Sequence, residues 1–90
     1  MDATIDAYLP EPGGITMFTT QWCGYCRRLK AQLEREDIHF TEIDIEATPD
    51  AAEVVVALNG GNRTVPTVVF PDGTSATNPS LGEVTERLAG

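Results

Sequence analysis

A β-branched and aromatic run, "ITMFTT" (Ile15 to Thr20), leads through Gln21 and Trp22 into "CGYC", and the chain then turns helical. The run has strand composition. From Tyr25 to about Glu36, Cys26, Leu29 and Leu33 recur at spacings of three and four, opposite Arg28, Glu34 and Arg35. "HFTEIDI" (His39 to Ile45) follows, alternating Phe40, Glu42 and Asp44 against Thr41, Ile43 and Ile45 as a second strand would. A strand, a helix and a second strand in this order imply a parallel pair, with both cysteines at the junction of the first strand and helix.

Downstream, Thr48-Pro49-Asp50 reads as a helix start, with Pro49 suited to the first helical position and Asp50 to the positive helix end. That helix carries Val54, Val55 and Leu58 and stops at Asn59-Gly60-Gly61. A third strand is expected from Thr67 to Phe70. Pro71-Asp72-Gly73 turns the chain into a short fourth strand near Ser75 to Thr77, antiparallel to the third. Asn78-Pro79-Ser80 opens a last helix, and Ser80 and Glu83 have capping-box spacing. The expected order is β-α-β-α-β-β-α, an α/β chain with a mixed four-stranded sheet flanked by three helices. Residues 1–13, acidic and broken by Pro10 and Pro12, read as an N-terminal tail in which Tyr8 and Leu9 pack at most locally, and residues 14–90 as one domain.

Ninety residues support one small core. Six basic side chains against fourteen acidic ones leave a net charge of −8, which repels nucleic acid and anionic lipid. No apolar run approaches the roughly 20 residues that span a bilayer. The N-terminus lacks the basic start and apolar stretch of a secretory signal, so a cytoplasmic, reducing location is expected. In that setting a short-loop disulfide closes too little chain to serve as a staple. A tetrahedral zinc site needs four ligands, and Cys23, Cys26 and the lone His39 do not supply them. No metal is expected, and a reactive dithiol is what remains.

The two thiols are not equivalent. Cys23 falls at the helix start, where unpaired backbone N–H groups and the positive helix end stabilise a thiolate. Cys26, one turn on, is expected to be more buried and to resolve a mixed disulfide formed on Cys23. Gly24 is expected to allow a tight turn and leave room for an incoming disulfide. Arg27, Arg28 and Lys30 follow the dithiol and Arg63 precedes Val65-Pro66. Arg28 reads as solvated. Arg27 and Arg63 read equally as solvated or as partners of a thiolate or a polar substrate. A proline ahead of an apolar strand belongs at a strand start or an unusual turn. A cis Val65–Pro66 bond would expose the Val65 backbone beside Cys23, but trans is the ordinary isomer. Trp22 is expected to pack over the sheet end and Tyr25 to be exposed.

Trp22-Cys23-Gly24-Tyr25-Cys26, Thr64-Val65-Pro66 and the element order resemble the glutaredoxin branch of the thioredoxin-fold oxidoreductases from Ile15 onward. Within that branch, "WCGYC" with "NGGNRTVPTV" and "TNPS" is most similar to the mycoredoxins, which use mycothiol, the thiol that replaces glutathione in many actinobacteria. Two departures bear on the co-substrate. Glutaredoxins usually carry proline where Gly24 stands. They also carry a Gly-Gly step and an acidic pair where this chain has Thr77-Asn78-Pro79-Ser80. Thr77, Asn78 and Ser80 would instead offer neutral hydrogen-bond partners to a hydroxyl-rich thiol, although Ser80 serves equally as a helix cap.

The resemblance implies catalysis by Cys23 and Cys26, with Trp22, Gly24, Tyr25, Arg27, Arg63, Thr64, Val65, Pro66, Thr77 and Asn78 forming the thiol-binding surface. It implies a monomer without a tightly bound cofactor, using mycothiol as reducing co-substrate. Its partners would be mycothiolated or disulfide-bonded proteins and, indirectly, a mycothiol disulfide reductase. Two relatives of the fold give competing readings. One is a redoxin reduced by thioredoxin reductase that feeds electrons to ribonucleotide reductase; "SATNPSLG" lacks the aromatic-basic-proline stretch of that group. The other is an iron–sulfur carrier in which Cys23 of two subunits, with external thiols, shares a cluster.

Overall fold

Every residue of strand β1 (Ile15–Thr19) is buried in the computed structural model, which describes residues 5–89. A strand buried on both faces must lie inside a sheet with helices above and below. β1 pairs in parallel with β2 (Phe40–Asp44), Ile15 opposite Phe40, and antiparallel with β3 (Thr67–Val69), Met17 opposite Val68. β4 (Ser75–Thr77) lies antiparallel outside β3, so the strand order is β2-β1-β3-β4. Three helices complete the expected order: α1 (Gly24–Arg35), α2 (Pro49–Leu58) and α3 (Leu81–Ala89).

Side chains of β1 alternate between two cores, as the period of a strand dictates. Ile15 and Met17 meet Leu29 and Leu33 of α1, Val84 of α3, Val68 and Phe70. Phe18 meets Ala51, Ala52, Val54 and Val55 of α2, together with Ile45 and Val69. Both cysteines belong to the first core, so the dithiol is packed into the α1 side of the sheet.

Three differences from the sequence reading have local causes. β3 stops at Val69: the Phe70 amide still donates across the turn to the Thr74 carbonyl at 2.9 Å, but the Phe70 carbonyl accepts from the Gly73 amide at 2.9 Å and closes the turn. Gly73, at φ +88°, supplies the positive backbone angle that this turn needs. α1 runs from Gly24 to Arg35, against the expected Tyr25 to about Glu36, and ends without a glycine. Asp37 takes the left-handed conformation (φ 59°), the Ile38 amide donates to the Leu33 carbonyl at 2.9 Å and the Asp37 amide to that of Glu34 at 3.2 Å. These are the paired bonds of a Schellman turn.

The third difference concerns the acidic N-terminal segment. Asp6–Tyr8 forms a 3-10 turn on the α2 side of the sheet, and the Tyr8 ring meets Phe18 edge-on with centroids 5.4 Å apart. Thr16 is buried within β1, and its hydroxyl needs an acceptor there. The Tyr8 carbonyl supplies it at 2.6 Å. From this turn onward, the segment read as a tail is attached to the domain, while Leu9 stays 44% exposed. Its first four positions lie outside the described residues.

α2 and α3 begin as their sequences require. Pro49 is the first residue of α2, and the Thr48 carbonyl accepts from Ala51 and Ala52 at 3.0 and 3.3 Å. The Ser80 hydroxyl accepts from the Glu83 amide at 3.1 Å, the cap half of a capping box. Glu83 does not reach back; its carboxylate pairs with Arg87 at 3.4 Å.

Candidate functional site

Cys23 is the N-cap of α1, with extended backbone (φ −85°, ψ 108°), and its sulfur accepts from the Cys26 amide at 3.1 Å. Its carbonyl accepts from the Arg27 amide at 3.2 Å. A cap position taken by sulfur places that atom among the free N–H groups of the first turn. Cys23 and Cys26 are joined as a disulfide with Cα atoms 5.2 Å apart. Cys26 is 1% exposed and Cys23 5%, so the edge of the dithiol that reaches solvent belongs to Cys23.

Facing it is the loop between α2 and β3. The Val65–Pro66 peptide is cis, and the Val65 carbonyl oxygen lies 3.8 Å from the Cys23 sulfur. Trp22, Cys23, Gly24, Tyr25, Arg63, Thr64 and Val65 line a groove of about 530 Å³ between this loop and the start of α1. A second hollow of about 290 Å³ lies between α1 and the start of α3. Tyr25 lines both, and Arg28, Gln32, Asn78 and Ser80 give the second its polar lining.

Several side chains named from the sequence stand elsewhere than expected. Trp22 does not cover the sheet end: it is 69% exposed, held by its indole N–H donating to Glu46 at 3.2 Å. Tyr25 is 66% exposed, as its place between the cysteines suggested. Gly24 has no positive φ, and a Cβ built there would meet nothing within 4 Å. The fold does not demand glycine at that point; its effect is to leave the groove open.

The basic residues do not gather on the dithiol. Arg63 lines the groove, whereas Arg27 reaches back to the Gln21 carbonyl at 3.0 Å. Lys30 pairs with Glu42 at 3.1 Å, and Arg28 lines the second hollow. Thr77 donates its hydroxyl to the Asn59 side chain at 2.5 Å and lines neither hollow, while Asn78 (φ 48°) lines the second and donates its amide to the Pro66 carbonyl at 2.7 Å. Arg28, read from the sequence as solvated, and Gln32, not singled out there, both line the second hollow. Their i, i+4 spacing, with Tyr25 one turn earlier, was the available signal that they share a helix face. His39 is exposed on the side chain, and its carbonyl accepts from the Ile15 amide at 3.1 Å. Among the described residues no three His, Cys, Asp or Glu side chains gather as a metal site, and no helix is long and apolar enough to cross a membrane.

A capped dithiol at a helix start, opposed by a loop that presents backbone to it, has the parts that thiol–disulfide exchange needs. This defines a thiol–disulfide oxidoreductase with the thioredoxin-like fold. The glutaredoxin family model matches residues 15–75. Rv3198A, a Mycobacterium tuberculosis protein named as a glutaredoxin, is 55% identical over 74 residues, covering 82% of this chain and 88% of its own. Mycoredoxin 1 of Corynebacterium glutamicum is 42% identical over 74 residues, 82% of this chain and 91% of that one. Among solved structures, the glutaredoxin of Archaeoglobus fulgidus superposes with a TM-score of 0.73 at 23% identity, over 94% of this chain and 96% of that one. The chain belongs to the glutaredoxin family.

Proposed function

We propose that this glutaredoxin reduces mixed disulfides between mycothiol and protein thiols in a reducing, cytoplasmic compartment. The Cys23 thiolate attacks the mycothiol sulfur of the mixed disulfide. A Cys23–mycothiol disulfide forms, and the protein leaves as a thiolate that takes up a proton. A second mycothiol thiolate then attacks the mycothiol sulfur, freeing the Cys23 thiolate and yielding oxidised mycothiol for a flavin-dependent reductase. Alternatively, the Cys26 thiolate attacks the Cys23 sulfur and expels mycothiol, leaving the Cys23–Cys26 disulfide.

The observation that carries the choice of thiol is the second hollow. It adjoins the dithiol groove at Tyr25 and is lined by Arg28, Gln32, Asn78 and Ser80, with no carboxylate. Such a lining offers hydrogen bonds to hydroxyl and amide groups but no anionic partner for a free amino group. The uncharged, hydroxyl-rich body of mycothiol needs no more than those hydrogen bonds, whereas the amino group of glutathione would meet Arg28 and no carboxylate. The name and 42% identity of Mycoredoxin 1 agree with this reading.

The test uses a model protein carrying one thiol, capped in turn with mycothiol and with glutathione, and the Cys26→Ser variant beside the parent. Release of mycothiol at least tenfold faster than of glutathione is expected. Equal rates, or turnover supported by thioredoxin reductase and not by mycothiol, would overturn the proposal. Retained activity in Cys26→Ser selects the one-thiol route, and lost activity the two-thiol route.

A further inference from the structure

Asn59 was legible in the sequence only as part of a helix stop. In the structure its backbone does that work: the Asn59 amide donates to the Val55 carbonyl at 3.0 Å, a bond that any non-proline residue supplies. Its side chain bonds nothing in α2. The Nδ2 group donates to the Thr67 hydroxyl at 3.0 Å and to the Thr64 carbonyl at 3.3 Å, and Oδ1 accepts from the Thr77 hydroxyl at 2.5 Å. One planar amide therefore connects the end of α2, the α2–β3 loop, β3 and β4.

Those contacts converge on the walls of the site. The Thr64 carbonyl accepts a second hydrogen bond, from the fully buried Thr67 at 2.7 Å, and the Thr64 amide donates to Asn62 at 3.1 Å. Both polar groups of the Thr64 backbone are thus held by side chains, and the next residue is Val65, whose carbonyl lies 3.8 Å from the Cys23 sulfur. On the other side, Thr77 immediately precedes Asn78, which lines the second hollow and bonds the Pro66 carbonyl. Asn59 touches neither sulfur nor either hollow, yet it ties a wall of each to the same amide.

We infer that Asn59 is a positioning residue for thiol–disulfide exchange: its side-chain amide holds the Thr64–Val65 wall opposite Cys23 and, through Thr77, the Asn78 wall beside it. Losing that amide misplaces the surface on which an incoming disulfide is aligned, while leaving the sulfur at its own helix start, where the Cys26 amide supports it. Stability and alignment therefore separate in measurement. Bimolecular reduction should suffer where alkylation of Cys23 by a small reagent does not.

Asn59→Leu fills similar volume without hydrogen bonds, and Asn59→Asp keeps the acceptor for Thr77 while losing the donors to Thr64 and Thr67. Thr77→Val cuts only the Oδ1 link, and Thr77→Ser restores a hydroxyl. The full chain is prereduced and mixed with a synthetic peptide bearing one intramolecular disulfide. In a single turnover the peptide gains two thiols as Cys23 and Cys26 form their disulfide. No mycothiol is present, so the outcome is independent of the co-substrate proposed above.

Asn59→Leu and Asn59→Asp should lower the second-order rate of peptide reduction at least fivefold, with Cys23 alkylation by iodoacetamide within twofold of the parent. Thr77→Val should fall in the same direction and Thr77→Ser recover. Peptide reduction within twofold of the parent in folded Asn59→Leu and Asn59→Asp would overturn the inference. So would alkylation and reduction falling in equal proportion, which is the mark of a purely structural role.

Discussion

The backbone nitrogen of Cys26 stands 3.1 Å from the sulfur of Cys23, so one cysteine's main chain supports the other's reactive atom. The relation is one-way. Cys26, inside the first turn and 1% exposed, has its own sulfur packed into the core with Leu29 and Leu33. In the reduced protein, N–H donors and the positive helix end favour charge on Cys23 over Cys26. Iodoacetamide at pH 7 should therefore modify Cys23 at least tenfold faster than Cys26, read by peptide mapping after brief labelling. Equal labelling of the two would show that the cap does not bias the pair.

At the β2 edge of the sheet, two neighbours of one carboxylate should contribute unequally. Thr19 is 1% exposed and donates to Glu42 at 2.7 Å; Lys30 reaches the same carboxylate at 3.1 Å, with both charged side chains about a third exposed. An exposed ion pair contributes about 0–1 kcal/mol, so Lys30→Ala should cost less than about 1 kcal/mol. Glu42→Ala strands a buried hydroxyl and should cost about 1–3 kcal/mol, whereas Glu42→Gln keeps an acceptor and should recover most of it. Urea unfolding of the three variants decides the matter. A Lys30→Ala loss equal to that of Glu42→Ala would place the energy in the charges instead.

The contrast between Lys30 and Thr19 reflects what a linear reading can hold. The Ile15 to Thr20 run announced a strand, and Cys26, Leu29 and Leu33 their shared stripe, because composition and periodicity are local properties of the chain. The element order followed from such patterns, and the dithiol from residue type and spacing. The groove's walls did not follow in the same way. The exposure of Trp22 depends on Glu46, 24 residues away, and the orientation of the Thr77 hydroxyl on Asn59, 18 residues away. Arg27, Arg28 and Lys30 are adjacent in sequence but point around a helix to Gln21, the second hollow and Glu42. Closeness in sequence did not tell which of them face the groove. Tyr8 was half legible: an aromatic in an acidic segment invites packing, but nothing local names Phe18 and Thr16 as its partners.

The turn between β3 and β4 carries a pH dependence of stability. The Asp72 carboxylate accepts from the Thr74 hydroxyl at 2.6 Å and the Thr74 amide at 2.9 Å, and Arg87 lies nearby, bonding Thr74 and stacking over the Phe70 ring at 4.0 Å. The Thr74 hydroxyl first, then its amide, and to a lesser degree the charge of Arg87 hold this carboxyl below its ordinary 3.8. A carboxyl whose pKa is lower folded than unfolded contributes stability in full above the unfolded value, about 3.9, and loses it as pH falls through the folded one. The margin of the parent over Asp72→Asn should be constant from pH 5 to 7 and shrink progressively below about pH 4. Carboxyl NMR should place the Asp72 midpoint below 3.8 in the parent and closer to it in Thr74→Ala. Because the group is fully exposed, salt should weaken only the part due to Arg87, leaving the hydrogen-bonded part in place. A midpoint insensitive to Thr74→Ala but abolished by salt would assign the effect to Arg87 instead.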